Sequence, residues 1–109
     1  MDEVKTEFSP QLPDFGFYYH YKHNPAKGML DHAYEVVGIA RHTEDKSFLV
    51  LYIPLYENDW FKPATHQARP LEMFIEQVTK DGITKDRFTK ITDPKLIEEM
   101  TTIRSKMYA

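Results

Sequence analysis

The chain has 109 residues, with 14 Lys and Arg against 17 Asp and Glu for a formal net charge of −3, and it contains no cysteine. That length supports one domain with a modest core. The charge excludes a global attraction to nucleic acid or anionic lipid, and the lack of Cys excludes disulfides, thiolate zinc sites and Cys nucleophiles.

Residues 1–16 read as an irregular arm, broken by Pro10, Pro13 and Gly16, with Phe8, Leu12 and Phe15 available to pin it to the domain. Residues 1–7 lack the apolar run of a secretory signal, and no window reaches the length of a membrane span, so the expectation is a soluble cytoplasmic protein. Phe17-Tyr18-Tyr19-His20-Tyr21-Lys22 reads as a first strand and 23–33 as a loop punctuated by Asn24-Pro25 and Lys27-Gly28. Residues 34–42 and 48–55, rich in β-branched and aromatic side chains around a short polar turn, are a β-hairpin. Pro54 demands an edge or a bulge there. A second long loop, 56–68, holds Trp60, Phe61 and Pro63. Residues 69–74 read as a turn or a short 3₁₀ segment. Asp81-Gly82 marks a tight hairpin turn, followed by a last strand over 83–91.

The C-terminal piece is a helix. Asp93 suits the N-cap and Pro94 the first helical position. Leu96, Ile97, Met100, Ile103 and Met107 form an apolar stripe, with Glu98 and Glu99 early and Arg104 and Lys106 late, in agreement with the helix dipole. That stripe needs a partner, either the barrel of its own chain or a second subunit, so the chain is expected to be a monomer or a weak homodimer.

Alternation along the second hairpin strand places Leu49, Leu51, Ile53 and Leu55 on one face, expected to be the core, and Phe48, Val50, Tyr52, Pro54 and Tyr56 on the other. A two- or four-residue turn pairs His42 with Leu49 and Arg41 with Val50. Val36, Gly38, Ala40 and His42 then join the leucine face, and Val37, Ile39 and Arg41 the tyrosine face, with Arg41 diagonal to Tyr52 and within cation–π reach. A three-residue turn exchanges the faces.

The segments Tyr19-His20-Tyr21-Lys22, residues 34–44, Leu49-Val50-Leu51-Tyr52, Leu55-Tyr56, Arg69-Pro70-Leu71-Glu72-Met73-Phe74, Asp81-Gly82 and Arg87-Phe88 resemble those of the bacterial domain-of-unknown-function family 1653, over residues 17–91. The resemblance implies a mainly β fold, a small SH3-like β-barrel of about five strands over 17–92; the C-terminal α-helix over 93–109, read from its own stripe and cap, lies outside it. It implies no activity. The chain departs from the family in the longer 23–33 loop, in Ile53 at an often polar place, and in Asp86 where Pro usually precedes Arg-Phe.

Several residue groups can carry chemistry. His20, Tyr21 and Lys22 could read a phosphate, a carboxylate or a polar base edge, or could simply be packed and solvated strand residues. His42 beside Glu44 could be a general base, or a turn residue. Arg41, Tyr52, Tyr56 and Trp60 suit a planar ligand, or a small satellite cluster. Pro70 biases Arg69 to an extended backbone, which presets its guanidinium for an anion or for loop carbonyls. No His pair has helical ligand spacing, no Ser sits on a nucleophile elbow and no glycine-rich phosphate loop exists, so neither a metal nor a cofactor is expected. The expected function is a non-catalytic module binding a small planar or anionic ligand, nucleotide-like or a nucleic-acid fragment, through His20, Tyr21, Lys22, Arg41, Tyr52, Tyr56, Trp60 and Arg69. The alternatives are a small enzyme acting on a nucleotide or related metabolite with His20 or His42 as acid–base, and an interaction subunit docking through its C-terminal helix.

Overall fold

The computed structural model describes residues 12–56 and 66–108. Among these residues seven strands run in chain order: β1 (Gly16–His20), β2 (Ala33–Arg41), β3 (Phe48–Pro54), β4 (Gln67–Pro70), β5 (Gln77–Lys80), β6 (Ile83–Asp86) and β7 (Phe88–Lys90). A 3₁₀ turn (Pro25–Lys27) follows β1, a short helix α1 (Leu71–Ile75) follows β4, and helix α2 (Pro94–Met107) ends the described chain. The fold is mainly β with a C-terminal helix, as expected, but it is not a closed barrel. Five strands form one antiparallel sheet in the order β4-β3-β2-β1-β7, and β5 and β6 pair separately.

The anticipated strand over 83–91 is broken at Arg87. The Arg87 N–H donates to the Glu76 carbonyl at 3.1 Å, and the side chain pairs with the Glu76 carboxylate at 2.8 Å. β6 therefore stays with β5, while β7 crosses to β1. The segment expected to be a turn over 69–74 splits likewise, its start extending β4 and its remainder forming α1.

The central hairpin forms two residues out of the expected register, with Arg41 opposite Phe48 and Ile39 opposite Val50. Its four-residue turn is closed by the His42 N–H donating to Ser47 O and the Lys46 N–H donating to His42 O, both at 2.8 Å, with Lys46 at φ +66°. A shift of two keeps Ile39 and Arg41 on the tyrosine face. A bulge between Val36 and Gly38 then adds a residue, so Val36 falls opposite Tyr52 and moves to that same face, against expectation.

The core also corrects the expected assignment of faces. The tyrosine side of the sheet curls inward, and Tyr18, Tyr34, Val36, Val50 and Tyr52 pack there with Leu71, Phe74 and Phe88. Phe74 and Phe88 stack at 4.2 Å, and Tyr34 meets Tyr52 edge to face at 5.2 Å. The large rings fill the concave side because their hydroxyls find partners at its rim. The opposite side is a second apolar layer, in which Phe17, Ala33, Leu55 and Ile91 surround Met100 of α2. The helix starts as expected, with the Asp93 carboxylate accepting from the Lys95 N–H at 3.0 Å and Pro94 in the first turn. It is tied down by Arg104 to Glu35 at 3.2 Å and by the Tyr108 hydroxyl donating to Pro54 O at 2.6 Å. No helix among the described residues is long and apolar enough to cross a membrane.

Candidate functional site

The aromatic core ends in a polar cluster. The Tyr34 and Tyr56 hydroxyls share a hydrogen bond of 2.5 Å, and Arg69 Nε donates to the Tyr52 hydroxyl at 3.4 Å. The Arg69 guanidinium also sits 5.4 Å from the centre of the Phe88 ring. His20, at the end of β1, packs edge-on against Phe88 at 5.0 Å and lies over His32 at 5.8 Å, and His32 reaches Tyr56 at 6.1 Å. Burial raises the Tyr34 phenol far above the ordinary tyrosine range, with the bond to Tyr56 adding to the effect, and burial raises Tyr56 as well. Both stay protonated. Burial, together with the charges of Arg69, His32, Lys22 and Arg87, lowers His20 from 6.5 to about 4, so its imidazole is neutral at pH 7.

Beyond His20 the chain turns away from the sheet. The Tyr21 N–H donates to Arg87 O at 2.8 Å, which brings the start of this loop beside the β5–β6 hairpin. Between the two lies a groove of about 440 Å³, lined by Tyr21, Lys22, Lys27 and His32 from the loop side and by Lys80, Asp81, Ile83 and Lys85 from the hairpin. Four ammonium groups face one carboxylate there, in a chain whose overall charge is negative. Such a local concentration of one sign in a concavity attracts counter-charged ligands. The hairpin turn uses Asp81 at φ +55° and Gly82 at φ +78°, the primed geometry that an Asp-Gly pair favours. Strand alternation then puts Lys80, Ile83 and Lys85 on one face, and Thr79 and Thr84, joined at 2.7 Å, on the other.

His32 lines this groove from a strained backbone. Its backbone is left-handed at φ +52°, a conformation that costs a non-glycine residue on the order of 1 kcal/mol. Its Nδ1 lies 3.1 Å from the Asp31 carboxylate. Asp31 is itself fixed by accepting from the Asn24 N–H at 2.8 Å, and that bond, with His32 and Lys27 nearby, holds its carboxyl below the usual range.

The expected site residues divide into four sets. Tyr21 and Lys22 line the groove. His20, Tyr56, Tyr52 and Arg69 belong to the polar cluster behind it, with Tyr52 buried rather than lining an open hollow. Arg41 sits at the hairpin tip over the Phe48 ring at 4.3 Å, donating to Lys46 O at 3.2 Å, not over Tyr52. Trp60 lies outside the described residues. His42, the other imidazole considered, accepts from the Glu44 N–H at 3.2 Å within its turn. Lys27, His32, Lys80 and Lys85 escaped the sequence reading. The loop and hairpin lysines are separated by more than fifty residues and meet only through the fold, although the placement of Lys80 and Lys85 on one face of the Asp-Gly hairpin was accessible from alternation. Among the described residues no three His, Asp or Glu side chains converge as metal ligands.

The family described as protein of unknown function (DUF1653) matches residues 16–90. A crystal structure of a protein belonging to that family, from Bordetella bronchiseptica, is similar at 25% sequence identity and a TM-score of 0.56, covering 74% of this chain and 94% of that one. No curated protein matches the chain.

Proposed function

We propose that this chain, which belongs to the DUF1653 family of proteins of unknown function, is a small binding domain for phosphate-bearing, nucleotide-like ligands. The observation that carries the reading is the lysine-lined groove between the loop after β1 and the β5–β6 hairpin. Its volume falls within the range of small-ligand sites. Its ammonium groups supply charge for phosphate oxygens, and Tyr21 and the exposed Ile83 supply flat and apolar surface for a base. The polar cluster acts from behind: neutral His20 and the hydrogen-bonded tyrosines fix the loop without adding charge to the groove. Arg41 has no part in this reading, because it lies at the far tip of the central hairpin.

Titration with a nucleoside monophosphate and with a short single-stranded oligonucleotide, followed by amide and side-chain NMR shifts, tests it. The expected shifts concentrate on Tyr21, Lys22, Lys27, His32, Lys80 and Lys85, and the double substitution Lys22→Ala with Lys85→Ala weakens binding about tenfold or more. Shifts confined to the Arg41 hairpin tip, or equal affinity in the double variant, would overturn the assignment.

A further inference from the structure

We infer that the groove does more than hold a ligand: the Asp31–His32 pair is a general base that cleaves single-stranded RNA by intramolecular attack of a ribose 2′-hydroxyl. The inference rests on the groove being a phosphate site. It adds a reaction, and it assigns that reaction to a histidine the sequence did not single out.

The geometry of the pair supports it. Nδ1 of His32 is sealed from solvent 3.1 Å from the Asp31 carboxylate, in ion-pair contact rather than hydrogen-bond geometry. The charge of an ionised carboxylate at that distance favours the proton on Nδ1 and leaves Nε2, on the other edge of a ring that lines the groove, as the proton acceptor. Asp31 is anchored by the Asn24 N–H and His32 is stacked on neutral His20, so the imidazole is held in place before any ligand arrives. The left-handed backbone at His32 is the kind of strain a fold retains where it places a side chain for a purpose. The lysines that line the same groove supply positive charge for the negative charge that develops on a phosphorus centre under attack.

RNA is the substrate this machinery fits. A phosphodiester next to a 2′-hydroxyl brings its own nucleophile, so no metal-bound or separately positioned water is needed. His32 Nε2 takes the 2′-hydroxyl proton as the 2′-oxygen bonds to phosphorus. The bond from phosphorus to the 5′-oxygen breaks, and that oxygen takes a proton from the ammonium of Lys22 or Lys27. The products are a 2′,3′-cyclic phosphate and a free 5′-hydroxyl. The proton on His32 then passes through solvent to the lysine, restoring both groups. A strand also places successive phosphates along the groove, which suits ammonium groups distributed on both of its walls.

The test uses the full chain with a short single-stranded RNA and its all-2′-deoxy counterpart, read by mass spectrometry for the cyclic phosphate and by fluorescence anisotropy for binding. The RNA is expected to be cleaved and the deoxy strand only bound. His32→Asn, which tolerates the left-handed backbone, is expected to lower the cleavage rate at saturating RNA about 100-fold. Asp31→Asn is expected to lower the rate about 10-fold or more. Binding of both strands without cleavage, or equal cleavage by His32→Asn, overturns the reaction and leaves the groove reading standing. Failure of both strands to bind overturns the two together.

Discussion

The guanidinium of Arg69, on one edge strand of the sheet, lies 5.4 Å from the ring centre of Phe88, on the opposite edge. No backbone hydrogen bonds join β4 to β7, so the curl is fastened by side chains rather than by a ladder. Arg69 also donates to the Tyr52 hydroxyl, and Phe88 stacks on Phe74 of α1. Arg69→Ala removes a partly desolvated cation–π contact and a hydrogen bond, and the expected loss of unfolding free energy is about 2 kcal/mol. Arg69→Lys keeps the charge and loses the planar stacking, so an intermediate value is expected. Urea denaturation followed by tryptophan-independent far-UV dichroism measures both. Equal stability of the three proteins would show that the edges do not depend on Arg69.

His20 makes stability depend on pH in a definite direction. Its folded pKa is lowered from 6.5 to about 4, so the native state resists the proton that the unfolded chain accepts. Above pH 6.5 both states are neutral and His20 contributes no pH dependence. As pH falls from 6.5 toward 4 the unfolded chain is protonated first, and stability declines. Glu35, raised by burial on the other side of the sheet, acts in the opposite sense at the acid end, where protonation relieves its desolvation. The difference between wild type and His20→Gln isolates the imidazole. Wild-type urea midpoints are expected to fall relative to the variant between pH 6.5 and 4.5, and parallel curves would rule the effect out.

How far the sequence could be read is clearest at three places. Alternation along β3 separated its two faces correctly, and the Asp-Gly turn, the Asp93 cap and the helical stripe were all local signals. Which face of β3 turned inward was not local. It depended on partners for the tyrosine hydroxyls from Tyr56 and Arg69, and on α2 covering the leucine side. The bulge at Val36–Gly38 was invisible because a single extra residue leaves the hydrophobic pattern plausible in either phase. Part of the groove was in view at Tyr21 and Lys22, whereas His32 read as one loop residue among many until the fold set it beside Asp31 and the hairpin lysines.

Leu96, Ile97 and Met100 of the α2 stripe have their partner in the same chain, where Met100 is wholly buried among Phe17, Ala33, Leu55 and Ile91. Met100→Ala leaves a cavity there and is expected to cost about 2–5 kcal/mol. Asp93→Ala removes the cap bond to the Lys95 N–H and is expected to cost about 1 kcal/mol. Because Leu96, Ile97 and Met100 of the stripe are already packed on the sheet, the full chain is expected to scatter light as a monomer at micromolar concentration. A concentration-independent dimer mass would mean that a second copy contributes to covering the helix.

The β5–β6 hairpin offers a test that separates charge from fold. Its two faces differ sharply in chemistry: Lys80, Ile83 and Lys85 look into the groove, while Thr79 and Thr84 pair on the other side. All five residues are exposed, so substitutions there leave the aromatic core untouched and are expected to change stability by no more than about 0.5 kcal/mol. Lys80→Glu with Lys85→Glu reverses the charge of one wall of the groove, and phosphate-ligand binding is expected to disappear while the denaturation curve stays in place. Thr84→Glu puts the same kind of charge a few ångströms away but on the outer face, and binding is expected to fall by less than about threefold, as a screened charge beyond the groove should act. The wild-type affinity should also drop steeply with salt, with a log–log slope of roughly −0.7 for each phosphate neutralised on a single strand. An equal loss of binding in Thr84→Glu and the double variant would instead mark a diffuse electrostatic attraction, with no groove-specific recognition behind it.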